Sequence, residues 1–241
     1  QFMFILVPVL ILSLMQGNEV KDAFRLKAPR SKPFWLGMLG IIVIQPLIQS
    51  YMYIQNKILF SLPFGTESLK AVKDFMDALE SATLNLVTAQ SVIEFAVVVI
   101  VIAVTPAICE EFLFRGLIFR NFERAMPAGK SIFLTGFIFA IFHFHPFNLI
   151  PLILLGFFLT YTVYYSGSIL TGVLLHFVNN FLSAYLVFRY GREGFDKPDE
   201  PLSANLGLII AGIVSLFIFI GLLYAIKNSS DEKKNKIIVN V

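Results

Sequence analysis

Charge is scarce in this chain. Asp, Glu, Lys and Arg make up only 15% of its 241 residues, against roughly 25% in soluble domains, and that deficit excludes an ordinary water-soluble surface. Cysteine is scarcer still. Cys109 is the only one, which excludes an internal disulfide and a thiolate metal cluster, and packing suits a lone thiol better than nucleophilic work. The formal charge of +3 is small, and its Lys and Arg residues are scattered through loops, so nucleic acid is not expected as a partner. Low-complexity tracts and internal repeats are absent, and His143, His145 and His176 are the whole supply of imidazole.

What is abundant is apolar. Hydrophobic residues make up 57% of the chain, and several runs approach the roughly 20 residues a bilayer-spanning helix needs. The expected fold class is all-α: a polytopic transmembrane helical bundle forming a single membrane-embedded domain over 1–241, with the lipid bilayer as its surroundings. Spans are expected at 2–14, 33–54, 91–124, 132–144, 149–165, 169–188 and 206–226. Because the chain starts at Gln1, inside an apolar run, about seven spans is read as a lower bound, with eight if a preceding segment adds one.

Between a turn at 62–65 and residue 90 the pattern changes. Leu69, Val72, Phe75, Met76, Leu79 and Leu86 recur at helical spacing, opposite Lys70, Lys73, Asp74, Asp77 and Glu80. This predicts an amphipathic helix that lies on the membrane surface, caps the bundle, or serves as a soluble connector. The segments 18–32, 116–130 and 227–241 hold twelve Lys and Arg residues, against six in 55–90 and 189–202. By the positive-inside rule the first three, including the polar C-terminal tail, are expected on the cytoplasmic side.

One stretch breaks the apolar pattern: Cys109-Glu110-Glu111-Phe112-Leu113-Phe114-Arg115. A charged side chain at mid-membrane costs at least ~2.5 kcal/mol, so such a cluster is a functional-site candidate by default. Pro106, a few residues earlier, is expected to kink the helix. Glu111 and Arg115 are i and i+4 and can form an ion pair, while Glu110 is turned about 100° away. His176 and Asn180 also share a helical face. At about 1.5 Å per residue, Glu110, His143 and His176 lie roughly 21, 18 and 12 Å from the cytoplasmic ends of their helices, so three helices bring ionisable groups to comparable depth. His145 points away from His143 and precedes Pro146, where a capping or interfacial role suits it.

These residue types describe hydrolysis by an activated water. Burial disfavours a charged carboxylate and a nearby guanidinium restores it, which makes Glu111 with Arg115 the supporting pair and Glu110 the candidate general base. His143 could hold the same water or protonate a leaving amine. His176 and Asn180 could donate to a developing oxyanion, worth roughly 3–4 kcal/mol per donor. No cofactor is then required. The alternative is a catalytic zinc held by Glu110, His143 and His176, although the local His-Glu-x-x-His pattern is missing.

The motifs Glu110-Glu111-x-x-x-Arg115, Phe139-x-x-x-His143 and His176-x-x-x-Asn180 occur in order on separate predicted helices. In this the sequence resembles the CAAX-protease and bacteriocin-processing family of intramembrane proteases, also called the Abi family. The resemblance implies a glutamate-type endopeptidase whose cavity opens to the cytosol. Glu110 and His143 would activate water, and His176 and Asn180 would form the oxyanion site. It also implies a substrate that is a peptide or lipidated protein cut near its C-terminus, and a bacterial plasma membrane location. The motif-bearing core is 93–188. Rival expectations are a zinc-dependent membrane protease and a non-proteolytic scaffold or transporter of the bacteriocin-immunity kind.

Overall fold

The computed structural model describes residues 1–17, 19–61, 66–86, 89–191 and 205–238, and among these every regular element is helical. In chain order they are α1, Phe2–Met15; α2, Val20–Ala23; α3, Ser31–Ser61; α4, Thr66–Leu86; α5, Val92–Ala125; α6, Ala128–Ile141; α7, Leu149–Ser166; α8, Ile169–Tyr190; and α9, Leu206–Ile238. Five of them (α3, α5, α7, α8 and α9) are long and apolar enough to cross a bilayer, and α1 and α6 are shorter apolar helices.

The boundaries differ from expectation in three places. α6 stops at Ile141, so His143 stands in the turn after the helix, where Phe144 takes a left-handed backbone at φ +51° and reverses the chain toward Pro146. α3 continues to Ser61, past the expected end at Ile54. α9 continues to Ile238, because the Lys-rich segment after Ile226 has no helix breaker. The turn at 62–65 and most of the loop at 189–202 lie outside the described residues.

The packing is inverted relative to a water-soluble protein. Ile42, Val97, Phe133, Ile213 and Phe217 point outward, while Ser131, Thr135, Thr160, Thr162 and Thr171 are buried. Without a hydrophobic drive between helices in lipid, small and hydroxylated residues make the contacts, and this chain is an integral membrane protein on that pattern. The main apolar core joins α3, α7, α8 and α9 through Ile41, Phe158, Leu159, Leu175 and Phe219. α6 and α7 meet backbone to backbone at Gly136 and Gly156, where a Cβ on Gly136 would lie 2.5 Å from the Phe157 nitrogen. α4 keeps Val72, Phe75 and Leu79 exposed on its apolar edge, with a Lys73–Asp77 ion pair on the other.

α5 carries the charged cluster and is irregular around it. Ser91 caps its start by accepting from the Glu94 amide. The helix then widens into π-helical turns at Val99–Val104 and again at Phe112–Ile118. Pro106 has no N–H for the carbonyl four residues back, and Thr105 turns its hydroxyl onto the Ile100 carbonyl at 2.8 Å. Such bulges occur often at functional sites. Here they bracket Glu110 and Glu111.

Candidate active site

Glu111 and Arg115 form the buried centre of the site, both side chains being wholly removed from solvent. Arg115 donates through Nη1 to Glu111 Oε1 at 2.6 Å, through Nε to Thr160 Oγ1 at 3.1 Å and through Nη2 to the Gly156 carbonyl at 2.9 Å. Thr160 in turn donates to the same Gly156 carbonyl. The guanidinium also lies 4.7 Å from the centre of the Phe139 ring. A buried ion pair recovers its desolvation cost only when further hydrogen bonds complete it, and α7 supplies those bonds. The glycine contact between α6 and α7 is what lets Phe139 and the Gly156 carbonyl reach one guanidinium.

α8 reaches the same carboxylate. His176 Nδ1 lies 3.0 Å from Glu111 Oε1. One turn earlier, Gly172 leaves room for the other oxygen: a Cβ there would stand 2.3 Å from Glu111 Oε2. Since Glu111 accepts from Arg115 and His176 together, the His176 proton sits on Nδ1 and Nε2 is the nitrogen left for other work.

Glu110 faces elsewhere. Its Oε2 has no hydrogen-bond partner among the described residues and lies 3.8 Å from His143 Nε2. His143 Nδ1 is 2.7 Å from the Phe139 carbonyl. A carbonyl only accepts, so the neutral ring carries its proton on Nδ1 and presents a lone pair on Nε2. Glu110 and His143 both border a groove of about 380 Å³ between α1 and α5, whose remaining walls are largely apolar: Ile5, Val9, Leu12, Leu113, Phe114 and Leu117 among them.

The expected site residues are therefore placed in two layers around Phe139, whose ring centre is 4.6 Å from that of His143 and 5.8 Å from that of His176. Glu110 and His143 are on the groove. His176 is buried against Glu111, and Asn180, one turn further on, donates from Nδ2 to the Ile102 carbonyl at 3.1 Å. His145 accepts from the Asn148 amide at 3.2 Å and caps the short 3-10 turn at Pro146–Asn148, as its position predicts. Among the described residues no three His, Cys, Asp or Glu side chains are grouped to hold a metal ion. His176 directs Nδ1 to Glu111, so Nε2 is the nitrogen it would offer to a metal.

Sequence reasoning missed Thr160, Gly156 and Gly172. For Gly172 a signal was present: the stripe of His176 and Asn180 extends back by the same four-residue step to Gly172.

An all-α membrane bundle that buries a Glu–Arg–His cluster beside a Glu–His pair on an apolar groove has the parts of an intramembrane hydrolase. Comparison with known proteins finds a likeness over part of the chain. Residues 92–182 match the model described as Rce1-like, type II CAAX prenyl endopeptidase, a stretch that runs from the start of α5 into α8 and contains all three motifs. The match supports an intramembrane protease, in agreement with the family expected from the motifs. No curated protein and no solved structure matches the chain.

Proposed function

We propose that this protein is a glutamate-type intramembrane endopeptidase that hydrolyses a peptide bond near the C-terminus of a lipidated or membrane-associated peptide. The observation that carries this reading is the pair Glu110 and His143 on the groove. Their 3.8 Å separation is too long for a hydrogen bond and suits one water held by both acceptors.

In the reaction, Glu110 takes a proton from that water as its oxygen attacks the scissile carbonyl carbon. The carbonyl π electrons move onto oxygen, and the resulting oxyanion faces His176 Nε2 and the Asn180 carboxamide. His176 donates from Nε2 only with both ring nitrogens protonated, and Glu111 is then its counter-charge. Collapse of the intermediate breaks the C–N bond, and the proton held by Glu110, passed directly or through His143, goes to the departing amine. No protein nucleophile and no metal takes part. The apolar groove accepts the lipid or an apolar side chain of the substrate, and its course from Glu110 toward Leu117 leads to the end of α5 bearing Arg120 and Arg124, the expected cytoplasmic side.

The test is cleavage of a prenylated peptide by the purified protein, with and without a chelator, beside Glu110→Gln. Cleavage that survives Glu110→Gln unchanged would overturn the assignment of Glu110.

A further inference from the structure

Asn180 is not held by its own helix alone. Gln45, in the middle of α3, donates from Nε2 both to the Ile41 carbonyl at 3.0 Å and to Asn179 Oδ1 at 3.1 Å. Asn179 donates from Nδ2 to Asn180 Oδ1 at 3.1 Å, and Asn180 donates from Nδ2 to the Ile102 carbonyl. Three carboxamides thus run in series from α3 across α8 to α5, each half-buried. Adjacent residues on a helix point about 100° apart, which is why Asn179 faces α3 while Asn180 faces α5.

The acceptor at the end of this chain is set by sequence. In an α-helix the Ile102 carbonyl would receive the N–H of residue 106, and residue 106 is a proline with none to give. Pro106 thereby removes the α-helical donor to this carbonyl, within the π-helical turns at Val99–Val104, and the carbonyl accepts from a side chain of α8. With Asn180 Oδ1 held by Asn179 and one Nδ2 hydrogen held by Ile102, the second Nδ2 hydrogen is the group that remains to be donated. A flip of the Asn180 amide is also barred, since it would set Nδ2 against the Asn179 donor and Oδ1 against the Ile102 carbonyl.

We infer that Gln45 and Asn179 are positioning residues for Asn180. Together with the Ile102 carbonyl, they fix the orientation in which Asn180 offers its second N–H to the oxyanion. The inference rests on the peptidase reading for its consequence in catalysis, but the relay itself can be examined without activity.

Two variants test it. Asn179→Asp keeps the acceptor for Gln45 and removes the donor to Asn180; Gln45→Met keeps the volume and removes the donor to Asn179. Each is expected to lower kcat about tenfold with KM little changed, short of the roughly 10²–10³ lost when an oxyanion donor is itself removed. Thermal unfolding should be unaltered in Gln45→Met. In protein labelled with 15N at asparagine, with the Asn180 side-chain amide signals identified from Asn180→Asp, both variants should shift those signals and speed their exchange with solvent. Unchanged amide signals in both variants would overturn the relay whether or not the protein cleaves peptides. Shifted signals with unchanged kcat would overturn its role in catalysis. Absence of any Glu110-dependent cleavage in the parent protein would count against the peptidase reading and leave the amide measurement to decide the relay.

Discussion

His176 and Arg115 meet on a single oxygen, Glu111 Oε1, at 3.0 and 2.6 Å, while Glu111 Oε2 lies in the space left by Gly172. The second glutamate of the cluster is therefore more than the partner of an arginine four residues on. It joins α5 to α8, and through Arg115 to α7, so the position of His176 depends on a group the i, i+4 pairing already occupies.

Removing the cation should expose that dependence. Arg115→Leu leaves a buried carboxylate without its charge partner, and breaking such a pair costs about 3–5 kcal/mol. Thermal unfolding in detergent should show a large loss of stability for Arg115→Leu and a smaller one for Arg115→Lys, which keeps the charge but not the fork to Thr160 and Gly156. Equal stability of Arg115→Leu and the parent protein would count against the Glu111 hub.

Gly172→Ala tests the other side of the same carboxylate. Its new methyl would lie 2.3 Å from Glu111 Oε2 and 2.8 Å from the Val163 side chain, and overpacking of this order costs about 1–3 kcal/mol. The carboxylate must rotate away, so cleavage should fall together with stability. A variant with parent activity and stability would mean that Glu111 Oε2 is free to move.

Glu110→Gln keeps the shape of the side chain and removes the base. General acid–base catalysis contributes typically 10²–10⁴-fold, so kcat should drop by about that factor while the unfolding temperature stays put. The measurement is steady-state cleavage beside thermal unfolding of the same samples.

The groove makes a prediction about substrate. Leu117→Trp fills the end of the groove away from Glu110. If it displaces about two methylenes of a bound chain, at ~0.8 kcal/mol each, KM for a lipidated peptide rises roughly tenfold. KM for the same peptide without lipid should be unmoved. A matching rise for both would show that the groove does not hold the lipid.

Chelators bear on the chemistry directly. Cleavage by the purified protein should persist in EDTA and in phenanthroline, with rates unchanged by added zinc. Loss of activity in chelator that zinc restores would replace the water-and-glutamate mechanism by a metal-assisted one.

Much of the architecture was legible beforehand. The runs that became α3, α5, α7, α8 and α9 stand out because a bilayer imposes length and hydropathy on every span, and Glu111 with Arg115 is a pair whose spacing places both on one helix face. Two of the three boundary differences have a specific physical reason. His143 lies beyond α6 because Phe144 reverses the chain, and nothing in the composition of 132–144 marks that turn. α9 runs on past Ile226 because charged residues need not end a helix once it has left the apolar layer.

The membrane-helical class, the order of the helices, the ion pair within α5 and the residue types available for chemistry follow from local spacing or from the cost of charge in lipid, and so can be read from the residues in order. Which nitrogen of His176 meets which glutamate, that Thr160 and Gly156 complete Arg115, and that Gln45 stands behind Asn180 emerge with the packing of the helices. Those contacts join residues 41 to 134 positions apart, and helical periodicity carries no information across such separations. They depend on how closely α5, α6, α7 and α8 approach, which the glycines at 136, 156 and 172 permit and only packing realises.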